Sequence, residues 1–341
     1  TISWSHGDTI FFKVRRAVDL AGNVSSGLPT WFYIIDTEPP VIGDITSGII
    51  TDSIPAFSLE LFDDPAGIDP TSILLDYGGT PLTTASPGIT WSSPDLNIEP
   101  GIVLHDDSLI VCVSADDLVI NCGPNHLADS CFYFILDLNG PVCEALMPLD
   151  GEISACPEQQ IEIRIVDDYG VSLPELRLSV DGTVYSIAAT ELSYIGDSLL
   201  IFIPDSPFPE GNIDVILYDV VDFNGNEGDS LNYSFIVDLT PPDITALSPA
   251  PGESVPSTHT IFSIDIADAI STVDGITVTM NGMTFAPDDG CTSYDGSEIR
   301  INPRLCGFDI EDGDIIDICV HAHDTPDYCM PNAVDSCYSV F

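Results

Sequence analysis

The residues best placed to do chemistry are carboxylates that recur at a fixed period. Asp36, Asp137 and Asp238 each close an apolar run and lead into a proline-bearing segment, and 137 minus 36 and 238 minus 137 are both 101. Each is followed by an acidic turn (Asp63-Asp64, Asp167-Asp168, Asp268) and later by a second acidic loop (Asp116-Asp117, Asp222 with Asn224, Asp324). If these loops share one end of a module, the sequence predicts three groups of oxygen ligands. The first is Asp36, Glu38, Asp63, Asp64, Asp116 and Asp117; the second is Asp137, Asn139, Asp167, Asp168, Asp222 and Asn224; the third is Asp238, Asp268 and Asp324. Several carboxylates within a few ångströms repel one another unless protons or a cation neutralise them. Calcium suits such a site, because it accepts many oxygen ligands in irregular geometry. The competing reading is that Asp and Asn simply build turns by accepting local backbone N–H groups.

Other chemistries find little support. The chain carries 55 Asp+Glu against 7 Lys+Arg, a formal net charge of −48, which is hostile to phosphate-rich partners and anionic membranes. Neither a nucleophile elbow nor a glycine-rich phosphate loop appears. Six His are scattered, at 6, 105, 126, 259, 321 and 323; His321 and His323 would share one strand face, a weak metal motif. No catalytic residue is assigned, and the expectation is a protein that is not an enzyme, binds no nucleic acid and inserts into no membrane.

What must position the carboxylates is a module of about 100 residues, the size of one β-sandwich. Hydrophobic residues make up 44% of the chain, enough for true cores, while 27 Pro and 26 Gly favour turns over helices. Within each period an alternating run (56–62, 161–166, 261–266) precedes the acidic turn. A second run then ends in Gly78, Asp181-Gly182 or Asn281-Gly282, all hairpin signals. The expected fold is all-β: tandem immunoglobulin-like β-sandwiches arranged as a rod, bounded at 1–36 (closing strands only), 37–137, 138–238 and 239–341. The partial first module reads as part of a longer array, and its unpaired edges would need strands from elsewhere.

The Asp-x-x-Pro-Pro linkers, the Asp-x-x-Gly-Asn loops and the Val-Asp-Gly hairpin resemble the tandem bacterial immunoglobulin-like or fibronectin-III-like repeats of large surface and adhesion proteins. That resemblance implies a structural segment of an extracellular stalk, fibre or filament at the cell surface. Its partners would be other copies of itself or neighbouring repeats. Calcium at the joints would stiffen it, as in cadherin-like proteins. The alternatives are an adhesin for a carbohydrate or protein receptor, and accessory domains of a secreted hydrolase. The absence of Lys and Arg between Arg16 and Arg164 also fits adaptation to high salt.

Ten Cys point to an oxidising compartment. Cys112, Cys122 and Cys131 recur as Cys319, Cys329 and Cys337. The expected pairs are Cys122 with Cys131, Cys329 with Cys337, Cys143 with Cys156 and Cys291 with Cys306. Cys112 and Cys319 are left over; they read as buried thiols, or as partners in re-pairing within the triplets or in cross-links between subunits. Asn23-Val24-Ser25 and Asn232-Tyr233-Ser234 are glycosylation sequons, with Asn23 placed in a loop.

Overall fold

The computed structural model describes all residues except Thr1, Asp44, Thr46, Ser47 and 257–259. The chain forms two compact units: residues 1–139 with Asn224–Asn226, and residues 140–223 with 227–341. Apart from one short 3-10 turn at Pro303–Cys306, the regular structure of the described residues is β-strand.

Alternating apolar residues build three sandwiches, the first two with one strand order and the third with four described strands in each sheet. In the first unit, one sheet runs Val41–Ile42, Phe57–Phe62, Asp95–Ile98, Ile89–Ser92. The facing sheet runs Ile49–Ile50, His126–Leu136, Ser108–Asp116, Leu74–Tyr77, Thr80–Thr83. The second unit repeats this order over residues 142–237, with Val142–Met147, Ile161–Val166, Leu199–Phe202 and Leu192–Ile195 opposite Ile153–Ser154, Leu231–Val237, Gly211–Tyr218, Arg177–Val180 and Thr183–Ser186. A third sandwich spans Asp243–Val340. The opening strand of a repeat divides between the sheets: Val142–Met147 pairs antiparallel with Ile161–Val166, whereas Ile153–Ser154 crosses over to run parallel to the closing strand, opposite Ile236 and Val237. This order, four strands against five with a split first strand, is immunoglobulin-like.

Each sandwich has its own core. Leu59, Val111 and Val113 in the first, Ile163, Ile213 and Val215 in the second, and Ile264, Ile318 and Val320 in the third are fully buried or nearly so. Burial of each such side chain stabilises its sandwich by about 1.5–3 kcal/mol. The hairpin turns follow from residues that tolerate positive φ. Asp181 and Gly182 lie at φ 47° and 75°, and Asn281 and Gly282 at 46° and 87°, so the turn twists with its strands.

Residues 1–36 contain one described two-stranded sheet, Thr9–Lys13 paired with Thr30–Ile34. Its register places Ile10 opposite Tyr33 and Phe12 opposite Trp31, matching Ile213 opposite Phe235 and Val215 opposite Tyr233 in the complete sandwich. There those side chains are buried; here Phe12, Trp31 and Tyr33 are 41%, 43% and 49% exposed.

The disulfides differ from most of the expected pairs. Cys112 lies opposite Cys131, and Cys319 opposite Cys337, on adjacent antiparallel strands with Cα atoms 4.0 and 4.1 Å apart, and each couple is bonded. The partners assigned from sequence to Cys122 and Cys329 are therefore taken. Re-pairing within the triplets, not two buried thiols, accounts for Cys112 and Cys319. Cys291 is bonded to Cys306. Cys156 is not bonded to Cys143 but reaches across 173 positions to Cys329, joining the second sandwich to the third. Cys122 and Cys143 are free thiols, the first exposed and the second half-buried. The sequence pattern missed this arrangement because cross-strand register and module-to-module contact are long-range properties.

Candidate metal centres

Two acidic clusters lie where linker, second-strand loop and closing-strand loop meet. Asp36, Asp63 and Asp117 bring one carboxylate oxygen each to within 4.8 Å of one another, and so do Asp238, Asp268 and Asp324. The elements dictate this placement. Asp36 and Asp238 follow closing strands, Asp63 and Asp268 follow Phe57–Phe62 and Phe262–Ala267, and Asp117 and Asp324 stand at the ends of Ser108–Asp116 and Ile316–Asp324.

In the cluster of the third sandwich, Asp238 and Asp324 are fully buried. Asp324 is held on both oxygens by Asn332: Oδ1 accepts the backbone N–H at 2.7 Å and Oδ2 accepts the carboxamide at 2.6 Å. The same carboxamide also donates to the Asp238 carbonyl at 3.0 Å. Asp268 Oδ1 accepts the N–H groups of Ile270 and Ser271, both at 2.8 Å. Asp238 Oδ2, by contrast, is buried and no donor reaches it. Burial foremost, with the Asp268 and Asp324 charges adding, pushes the Asp238 carboxyl above the ordinary carboxylate range, against the Ser271 hydroxyl and the Thr240 N–H.

The cluster of the first unit repeats the plan. Asp117 Oδ1 accepts the N–H of Asn125 at 3.0 Å and Oδ2 its carboxamide at 2.6 Å; Asp63 accepts the N–H of Gly67 at 2.8 Å and Asp36 that of Ala66 at 3.1 Å. Burial first, then the Asp36 and Asp117 charges, raises the Asp63 carboxyl. This cluster differs in one respect: the His6 Nδ1 lies 3.2 Å from Asp36 Oδ1.

The remaining expected ligands are placed as follows. Asp116 is held by His126, Nδ1 to Oδ1 at 2.6 Å, along the strand pair rather than in the cluster. Glu38 is an exposed side chain 3.9 Å from His6 Nε2, and Asp64 is not among the three clustered carboxylates of its joint. Of the second group, Asp137, Asn139 and Asn224 belong to the first unit, where the Asn224 carboxamide donates to Asp137 Oδ2 at 2.7 Å. Asp167, Asp168 and Asp222 belong to the second unit; Asp167 accepts the Tyr169 N–H at 2.8 Å, and Asp222 is buried. His321 Nδ1 sits 2.9 Å from Asp335 and His323 Nδ1 is 2.8 Å from the Asp324 carbonyl, while His259 lies outside the described residues. Asn23 is exposed in a loop, with its carboxamide nitrogen, the atom a glycan would occupy, donating to Asp19 at 2.9 Å; Asn232 is exposed on Leu231–Val237.

Sequence reasoning overlooked Asn125 and Asn332. The clue was available: Asp19 is clamped in the same way by Asn23, four residues on, whereas Asn125 and Asn332 come eight residues after their Asp. Four extra residues lengthen the loop, and both lengthened loops end alike, Cys122-Gly-Pro-Asn125 and Cys329-Met-Pro-Asn332. Carboxylates held in this manner, with oxygens converging and little positive charge nearby, suit a hard cation.

The class defined by this strand order is a tandem array of immunoglobulin-like sandwiches. No protein-family profile matches the chain, and no curated protein sequence matches it. Among solved structures the chain is similar to protocadherin gammaB7 EC3-6, at 15% identity and TM-score 0.37, covering 98% of this chain and 94% of that one. It is also similar to the fibronectin(III)-like modules of Clostridium thermocellum CbhA, at 14% identity and TM-score 0.31, covering 58% and 93%. Drosophila N-cadherin EC1-4 is a third, at 11% identity and TM-score 0.28, covering 100% and 93%.

Proposed function

We infer that the chain is a structural repeat segment of an extracellular stalk, fibre or filament whose joints bind calcium, with the linkages between modules as its product. The observation carrying this reading is the cluster of Asp238, Asp268 and Asp324, in which a fully buried carboxylate keeps one oxygen without a donor. An ionised group in that position is costly unless something positive meets it. Calcium fits the donor set: carboxylate oxygens are hard ligands, and water and backbone carbonyls complete its coordination. Asp36, Asp63 and Asp117 form the corresponding site of the first unit. Four disulfides among the described residues support an oxidising, extracellular setting. The bond between successive sandwiches supports a role in bearing load.

Thermal unfolding in chelator and in about 10 mM calcium tests the reading. At the affinity of extracellular modules, about 10⁻⁴–10⁻³ M, calcium should add about 1.4–2.7 kcal/mol. Asp238→Asn and Asp324→Asn should each remove most of that gain, and magnesium should reproduce little of it. Negative-stain images of the same samples should show extended particles that straighten with calcium. No calcium-dependent stabilisation at 10 mM would overturn the metal assignment, and compact, unextended particles would overturn the stalk.

A further inference from the structure

One loop of the third sandwich touches all three segments that carry the acidic cluster beside it. Residues 325–331 leave Asp324 and return at Asn332, whose N–H and carboxamide hold the Asp324 carboxylate and whose carboxamide also reaches the Asp238 carbonyl. At its start, the Thr325 hydroxyl lies 2.5 Å from that of Thr272, in the segment that follows Asp268. In its middle, the loop docks on the second sandwich. The N–H of Asp327 donates to the Ile153 carbonyl at 2.8 Å, the Ile153 N–H donates to the Asp327 carboxylate at 2.8 Å, and the Ala155 N–H donates to the Tyr328 carbonyl at 3.1 Å. The Tyr328 hydroxyl also meets the Glu152 carboxylate.

The segment on which the loop docks is tied to the same cluster from the other side. Ile153–Ser154 runs parallel to the closing strand opposite Ile236 and Val237, and the Asp238 N–H donates to the Ser154 carbonyl at 2.9 Å. Cys156 stands just beyond Ser154, and Cys329 lies in the loop after Asp324. The disulfide between them therefore closes a ring of short chain segments and hydrogen bonds that contains both Asp238 and Asp324. All of these residues belong to one compact unit. Among the described residues, the other three disulfides each stay within a single sandwich.

Taking this cluster to be a calcium site, as inferred above, we propose that the Cys156–Cys329 bond regulates it. Closed, the bond holds the loop so that the Asp238 and Asp324 carboxylates stay gathered for the ion; opened by a thiol reductant, it releases the loop and weakens the site. A loop already fixed in its bound conformation binds more tightly, because less freedom is lost when the ligand arrives. Opening returns that freedom to residues 325–331, which hydrogen bonds alone must then hold. In the opening step two thiol molecules supply two electrons and two protons, Cys156 and Cys329 become thiols, and the reductant leaves as its own disulfide. Linkage makes the effect mutual: the factor that the bond adds to calcium affinity is the factor by which calcium protects the bond from reduction. The joint is thus firmest where the surroundings are both oxidising and rich in calcium.

The test is a calcium titration of the full oxidised chain and of its double variant Cys156→Ser with Cys329→Ser, followed by amide NMR up to about 50 mM calcium chloride. The N–H groups of Ser271 and Asn332 donate to carboxylates of this cluster, so their signals report this site and not that of Asp36. The bonded chain should bind calcium about tenfold more tightly than the serine variant. A second arm keeps both cysteines and so does not depend on the variant folding: the parent chain is equilibrated in glutathione redox buffer with chelator or with calcium, alkylated and mass-mapped. Calcium should raise the ratio of bonded to open Cys156–Cys329 by the same factor, about tenfold, and Asp238→Asn should erase that shift. Equal affinities in the first arm, or an unchanged ratio in the second, would overturn the coupling and leave the calcium site standing. A bonded chain whose Ser271 and Asn332 signals ignore calcium would overturn the site itself and the coupling with it.

Discussion

Asp238 is the residue whose charge state the fold bears on most directly. Burial and two neighbouring carboxylates raise its carboxyl above the ordinary range, so the native state holds a proton more tightly than the unfolded chain does. By linkage, this group's stabilising contribution is fully present below its unfolded-chain pKa and is lost as pH rises through the raised native value. Asp63 is shifted in the same direction. In chelator at neutral pH, Asp238→Asn is therefore expected to unfold at a higher temperature than the parent, with the advantage shrinking as pH falls toward about 4. Paired thermal melts across that range check the sign. A variant less stable than the parent at pH 7 without cations would show that the buried carboxylate is satisfied by some other means.

The loops after Asp117 and Asp324 are the elements that make the two acidic clusters possible. In each, an Asn at the far end, Asn125 or Asn332, clamps the loop Asp on both oxygens, so the carboxylate is fixed before any ligand arrives. Asn332 also donates to the Asp238 carbonyl, tying the linker to the loop. Replacing Asn332 with Ala strips a buried carboxylate of a charge-assisted hydrogen bond, and a loss of about 2 kcal/mol is expected. Urea denaturation measures it; a change below about 0.5 kcal/mol would mean that the clamp is incidental. The Asp positions of this element were legible from their period, as was the turn chemistry around Asp181-Gly182 and Asn281-Gly282. The Asn was not, because four inserted residues moved it from the short spacing seen at Asp19 and Asn23 to a longer one. Local pattern reading assumes a constant spacing, whereas the fold needs only that the two ends of the loop meet.

At the scale of the molecule, the bond between Cys156 and Cys329 links the second sandwich to the third within one compact unit. A closed loop of this length restricts the unfolded chain strongly, worth about 5 kcal/mol in the chain-entropy account. The double variant Cys156→Ser with Cys329→Ser, which leaves no stray thiol of the pair, should lower the thermal midpoint of the second unit. It should also expose the 239–242 linker to proteolysis. An unchanged midpoint and cleavage pattern would show that the backbone hydrogen bonds around Ile153 and Tyr328 hold the two sandwiches together unaided.

The all-β class, the hundred-residue period and the convergence of Asp238, Asp268 and Asp324 were determined by the sequence itself, because alternation, turn residues and repeat spacing act over short stretches and recur. Which cysteine meets which, which of Asp36, Glu38, Asp63, Asp64, Asp116 and Asp117 share a cluster, and where a thiol is left exposed were decided only in the tertiary structure. Those outcomes depend on strand register and on loops that touch a different sandwich. A one-residue change of register turns a side chain to the opposite face, and no local signal encodes the partner waiting there.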